Sequence, residues 1–195
     1  MDEEKFIHGY LNTQTECISD LEINSSTIAK IFRILVKARD KDKKIYIMGN
    51  GGSASTASHF TSDLLKTCII KNKKRFKAFC LSDNVPVLLA WANDTSYDNI
   101  FVSQLENLVE ENDIVIGISG SGNSINVIKA IEYANKAKAI TIGLTGKGGG
   151  KLSKISKINL PVPSDDMLMI ETTHLMLCHL LTTLIRTEGK PLFTY

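Results

Sequence analysis

The chain has 195 residues, enough for one domain that buries a full core without disulfides or a structural metal. Apolar residues make up 43% and charged residues 23%, with 13 Gly and 4 Pro, a composition that excludes disordered, collagen-like and disulfide-scaffold chains. A net charge of +2 gives no basic field, and the densest basic run, Lys71 to Lys77, holds a single aromatic and reads as a solvated loop, so no nucleic-acid partner is expected.

Two amphipathic helical patterns fill the first forty residues. One carries Phe6, Ile7, Tyr10, Leu11, Cys17, Ile18 and Leu21, the other Ile28, Ile31, Phe32, Leu35 and Val36. The opening helix lies ahead of any sheet and has nothing obvious to cover in its own domain, so packing against another subunit is expected. From residue 45 short apolar runs alternate with helical stretches. The expected strands are Ile45–Met48, Lys77–Leu81, Ile114–Ile118, Ala139–Leu144 and Ile158–Pro161, with helices near 53–66, 84–92, 97–110, 124–136 and 166–187. Short strands that are apolar throughout and separated by helices predict an α/β fold with a five-stranded parallel sheet covered on both faces. Cys17, Cys68, Cys80 and Cys178 form no Cys-x-x-Cys pair and read as reduced thiols. The chain opens Met-Asp-Glu-Glu-Lys, without the pattern of a secretory leader, and no uninterrupted apolar run reaches the ~18 residues that span a bilayer. A cytoplasmic protein with no membrane partner is expected.

Two loops carry the chemistry. Gly49-Asn50-Gly51-Gly52-Ser53-Ala54-Ser55 follows the first strand, Ser119-Gly120-Ser121-Gly122-Asn123-Ser124 follows the third, and each leads into a helix. Glycines let the backbone approach a ligand, N–H groups at a helix start attract an anion, and hydroxyls add donors. Either loop alone is equally well read as a tight turn with a Ser cap. In a sheet ordered 2-1-3-4-5, however, strands one and three are neighbours at the switch point, and both loops face one crevice. Neither loop has the Walker or the dinucleotide spacing, so a sugar phosphate suits them better than a nucleotide.

The set GNGGSAS with His59 beyond it, AWAND at 90–94, GISGSGNSINVIKA at 117–130 and GLTGKGGGKL at 143–152 resembles the phosphoheptose isomerase (sedoheptulose 7-phosphate isomerase) family, over nearly the whole chain. The resemblance implies one flavodoxin-like SIS domain over 1–195, a three-layer sandwich with an N-terminal helical extension over about 1–40. It also implies a homotetramer with active sites between subunits. The implied activity converts sedoheptulose 7-phosphate to D-glycero-D-manno-heptose 7-phosphate for lipopolysaccharide, capsule or other surface heptose. By the same resemblance Ser119, Gly120, Ser121 and Ser124 hold the phosphate, while Asn50, Gly51, Gly52, Ser53, Asp94 and Glu171 lie near the sugar. The residues themselves lead to the serines but not to Asp94, which reads as a loop or capping residue.

An aldose–ketose isomerase needs a base, an acid and something to stabilise an oxyanion. His59 and Asp63 stand four apart on the helix after the first loop, on one face. The last helix carries Glu171, His174 and His179. Glu171 and His179 are about 80° apart around the axis and about 12 Å along it, so one metal is reached by both only through fully extended side chains or from different chains. His174, about 140° from His179, reads as structural. The resemblance implies a metal or catalytic quartet at His59, Asp63, Glu171 and His179; two imidazoles and two carboxylates make a nitrogen/oxygen set suited first to Zn²⁺ and also acceptable to Mn²⁺ or Fe²⁺, with Asp63 or a nearby group as base and His179 as the partner that protonates oxygen. Two positions depart from the family pattern: Asp63 replaces a Glu and Glu171 a Gln. A family Arg is matched by Thr67, leaving one positive charge missing or supplied from elsewhere. The competing readings are a non-catalytic SIS regulator that keeps the phosphate loops, such as a replication-initiator-binding protein, and an isomerase of another phosphosugar.

Overall fold

A computed structural model describes residues 1–193. Helix α1 (Glu3–Asp20), capped by Asp2, and α2 (Ser25–Asp40) precede the sheet. The sheet alternates with helices from there: β1 (Lys44–Gly49), α3 (Gly52–Ser62), β2 (Lys77–Cys80), α4 (Val85–Asp94), α5 (Val102–Leu108), β3 (Ile114–Ser119), α6 (Ile125–Lys136), β4 (Ile140–Thr145), α7 (Gly150–Ile155), β5 (Ile158–Pro161) and α8 (Met167–Arg186). All five strands are parallel, in the order β2-β1-β3-β4-β5. This is the expected flavodoxin-like arrangement, with the five expected strands in place.

Alternation along the strands divides the core. Ile45, Ile47, Ile114, Ile116 and Ile118 point into a cluster with α2, Phe60 of α3 and Leu177 and Leu181 of α8. Tyr46, Met48 and Val115 point to the other face, against Leu105 of α5 and Val127 and Ile131 of α6. With both faces covered, the strands read as continuous apolar runs.

Three details differ from the sequence expectation. The stretch 97–110 is broken into a 3₁₀ turn (Tyr97–Asn99) and α5, because Ile100 and Phe101 turn inward to fill the second core. Helix α7 was not anticipated: six residues after a glycine run give too short a periodicity to read. Finally, α8 is long and apolar enough to cross a membrane, although it contains no uninterrupted apolar run of that length. Met169, Ile170, Thr173, Leu177, Cys178, Leu181 and Ile185 form its buried stripe against the sheet and α2, which makes it a core helix.

β1 and β3 lie side by side. The chain leaves β1 towards α3 on one face and β3 towards α6 on the other, so the two polar loops diverge at the switch point and open one crevice between them.

Candidate active site

The loop after β1 and the helix after β3 are stitched together at Asn50. Its amide exchanges two hydrogen bonds with that of Asn126, each 2.9 Å, and the Tyr97 hydroxyl donates to Asn50 Oδ1 at 2.9 Å. Neither Asn126 nor Tyr97 stands out in the sequence. Asn126 at least lies inside the motif at 117–130, whereas Tyr97 gives no signal. Gly51, at φ 54, turns the chain into α3, and that helix start has no side-chain cap.

The loop after β3 gathers hydroxyls. Ser119 Oγ lies 3.0 Å from Ser124 Oγ and 3.5 Å from Ser121 Oγ, and Ser121 Oγ accepts from Asn123 N at 3.2 Å. Ser124 holds the N-cap position of α6 but makes no capping bond; its hydroxyl meets that of Ser119 instead. The GLTGKGGGKL stretch, residues 143–152, braces this loop from behind. Gly146 N donates to Gly120 O and Leu152 N to Gly122 O, both at 2.9 Å. Gly122 sits at φ 66, and a Cβ there would overlap the carbonyl of Gly149.

At the other end of the crevice, α3 passes into a π-helical turn that begins at Asp63, a local widening often found at functional sites. Here α3 meets α8. His59 Nε2 lies 3.0 Å from His179 Nε2, and Asp63 Oδ2 lies 3.7 and 3.9 Å from the same two nitrogens. Both imidazoles are about half exposed, while Asp63 is 14% exposed and receives the Thr182 hydroxyl at 3.4 Å. The three donor atoms lie within 4.8 Å of one another. Tetrahedral zinc with bonds of about 2.0–2.1 Å sets its donors roughly 3.3–3.4 Å apart. The observed spacings bracket that edge, so two imidazoles and a carboxylate fit such a cation.

Glu171, the fourth expected member, is not in this cluster. Its carboxylate lies directly over Gly52 at the start of α3, where a Cβ would overlap it. One residue turn earlier on α8, the Met167 sulfur lies over Gly120 of the serine loop. Helix α8 therefore runs from the serine loop, past Gly52, to the histidine pair.

A SIS-domain family model matches residues 9–146. The chain is 40% identical over 164 residues to a phosphoheptose isomerase of Campylobacter jejuni, covering 84% of this chain and 88% of that protein. The chain belongs to the phosphoheptose isomerase family. Among solved structures it resembles phosphoheptose isomerases from Francisella tularensis (TM-score 0.90, 29% identity, 96% of this chain and 100% of that one) and Neisseria gonorrhoeae (0.86, 28%, 94% and 98%).

Other features of this phosphoheptose isomerase homologue follow from the same geometry. Asp94 is exposed at the end of α4 and accepts from its neighbour Asn93 at 2.8 Å. Ser53 is buried in the first turn of α3. Beside the histidine pair, a hollow of about 470 Å³ is lined by Asp63, Thr67, His179, Thr182, Thr183 and Arg186. Arg186 Nη1 donates to the Thr67 carbonyl at 3.5 Å, so a guanidinium from α8 stands where position 67 itself lacks one. His174 is fully buried and its Nε2 donates to Thr145 O at 3.2 Å, consistent with a structural role. Burial lowers its pKa to about 4, the Thr145 bond opposing in part. Burial likewise raises the Cys68 thiol to about 12 and lifts Cys178, so neither is a nucleophile near neutrality.

Proposed function

We propose that this chain interconverts sedoheptulose 7-phosphate and D-glycero-D-manno-heptose 7-phosphate, in the cytoplasm, as a step towards surface-polysaccharide heptose. The observation that carries the reading is the pairing, within one SIS crevice, of a hydroxyl-lined anion loop with a His–His–Asp cluster one helix length away. A binding protein needs the first and not the second.

In this reading the phosphate takes donors from Ser119, Ser121 and Ser124 and from backbone N–H groups around Gly120 and the start of α6. The sugar chain lies along Asn50 to Ser53, with Asp94 near the sugar. His59, Asp63 and His179 hold a divalent cation, Zn²⁺ by preference for two nitrogens and one oxygen. When bound, the cation polarises the substrate carbonyl. Asp63, shared among two imidazoles and Thr182, serves the cation, and His179 passes protons between the substrate oxygens. Arg186 supplies positive charge on the side where Thr67 does not.

Self-association completes the picture. Phe6, Ile7, Leu11 and Ile18 of α1 are between 42% and 62% exposed, an apolar face that a homotetramer would cover. Lys74 and Lys77 of the basic run pair with Asp42, which suits a solvated loop without nucleic acid. Incubation with a panel of ketose and aldose phosphates, followed by NMR, tests the reading. Interconversion of the seven-carbon pair supports it, and phosphosugar binding without turnover identifies a regulator instead.

A further inference from the structure

We propose that Tyr97 and Asn126 are positioning residues that close the carbonyl oxygen of the Asn50 amide and leave it one N–H with which to hold a hydroxyl oxygen of the sugar next to its phosphate. The proposal rests on the sugar-phosphate reading above. The polarity of the amide pair is set from the backbone. Val127 N–H can only donate, and it meets Asn126 at Oδ1, 2.9 Å away. The reciprocal 2.9 Å bonds then allow one arrangement, in which Asn50 Nδ2 donates to Asn126 Oδ1 and Asn126 Nδ2 donates to Asn50 Oδ1. The Tyr97 hydroxyl donates to the same Asn50 Oδ1 at 2.9 Å. Both lone pairs of that oxygen are thereby occupied, and one of the two Nδ2 hydrogens is engaged. The other has no acceptor among the described residues, and Asn50 is half-buried, so this hydrogen is open to a ligand. Asn50 offers the crevice a donor and no acceptor.

The two residues that hold it have unlike settings. Asn126 is 2% exposed, in the first turn of α6 and two residues beyond Ser124, which puts the amide pair beside the serine loop and at the phosphate end of the substrate. Tyr97 is 58% exposed, yet its 3₁₀ turn is anchored on both sides. Ile100 and Phe101 are buried behind it, and Lys129 of α6 reaches Asn99 Oδ1 at 3.0 Å and Asp98 Oδ2 at 3.8 Å.

A hydrogen bond from so exposed a hydroxyl adds little to the stability of the fold, because water competes for both partners. Its consequence is local. The hydroxyl keeps water off the second lone pair of Asn50 Oδ1 and holds the amide plane. Two donors on one carbonyl oxygen also draw electrons from the amide nitrogen, which strengthens the remaining N–H as a donor.

The test uses the full-length protein, titrated by calorimetry with sedoheptulose 7-phosphate and separately with inorganic phosphate, with KM and kcat followed by NMR. Tyr97→Phe keeps the ring and removes the hydroxyl. It should weaken sedoheptulose 7-phosphate binding by about 3–10-fold, with KM rising more than kcat falls, while inorganic-phosphate affinity and thermal unfolding stay as in the parent. Asn50→Ala should lose more affinity, and in that background Tyr97→Phe should have no further effect, the non-additivity of a residue that acts through another. Parent affinity for sedoheptulose 7-phosphate in Tyr97→Phe overturns the proposal, and so does an equal loss in the Asn50→Ala background. A parallel loss of inorganic-phosphate affinity overturns it too, by placing the N–H on the phosphate. Parent protein that binds sedoheptulose 7-phosphate without turnover overturns the isomerase reading alone, since the calorimetric comparison still decides the role of Tyr97. Parent protein that does not bind it overturns both.

Discussion

His59 Nε2 on α3 and His179 Nε2 on α8 stand 3.0 Å apart, 120 residues apart in the chain. Without a cation one ring must donate its N–H to the other, whereas a cation between them needs a lone pair from both. Zinc uptake should therefore break this ring-to-ring bond, moving the donor's N–H to its Nδ1, and reach one equivalent per chain, measured by calorimetric titration and by elemental analysis. His179→Ala should abolish stoichiometric uptake and lower kcat by about 10²–10⁴-fold with the fold intact. Thr182→Val, which removes the hydroxyl on Asp63, should weaken zinc binding about 10–100-fold, and Thr182→Ser should retain it. Wild-type zinc affinity in Thr182→Val would show that the hydroxyl does not orient Asp63.

Ser124 sits at a helix start yet spends its hydroxyl on Ser119. Ser121→Ala and Ser124→Ala each remove a donor to a charged phosphate, a loss of about 1.5–3 kcal/mol. KM should rise more than kcat falls. Calorimetric titration of inorganic phosphate checks this directly, and unchanged affinity in both variants would move the phosphate elsewhere.

Gly52 and Glu171 are spatially coupled. Gly52→Ala places a methyl in the carboxylate's position, and because atoms so close cannot coexist, Glu171 or the start of α3 must shift. Activity should fall while α8 stays folded. The Gly52→Ala/Glu171→Ala double variant should be no less stable than Gly52→Ala alone by urea denaturation, a non-additivity expected of groups in contact. Strict additivity would mean that the two do not touch.

His174 makes stability depend on pH. Its folded pKa is depressed to about 4 from an ordinary 6.5, so the folded state holds it neutral where the unfolded chain takes a proton. The associated stability is fully present above about pH 6.5 and declines as pH falls towards 4, by roughly 3 kcal/mol at most. His174→Asn should be less stable at pH 7 but show a shallower decline between pH 6.5 and 4.5. Parallel pH profiles for the two proteins would remove His174 as the cause.

Much of this was legible in the amino-acid sequence because it is written in local patterns. Apolar runs such as Ile45–Met48 and Ile114–Ile118 mark strands buried on both faces, and the glycine–serine loops after two of them mark the crevice. What was not legible depends on partners distant in the chain. Tyr97 looks like any surface tyrosine until it meets Asn50, and Asn126 becomes a brace only once β1 and β3 are neighbours. The eight-residue separation of Glu171 and His179 left open whether both reach one cation. The structure separates them, because one faces Gly52 and the other His59.

The central claim is that this crevice moves a proton between adjacent carbons of a seven-carbon sugar phosphate. The most direct measurement is ¹H NMR of purified, zinc-loaded protein with sedoheptulose 7-phosphate in D₂O. The account predicts the aldose signal of the heptose 7-phosphate growing in, with deuterium entering at C2 and at C1 of the remaining ketose. Unaltered ketose with full proton intensity at C1 after long incubation, under conditions where calorimetry shows it bound, would contradict it.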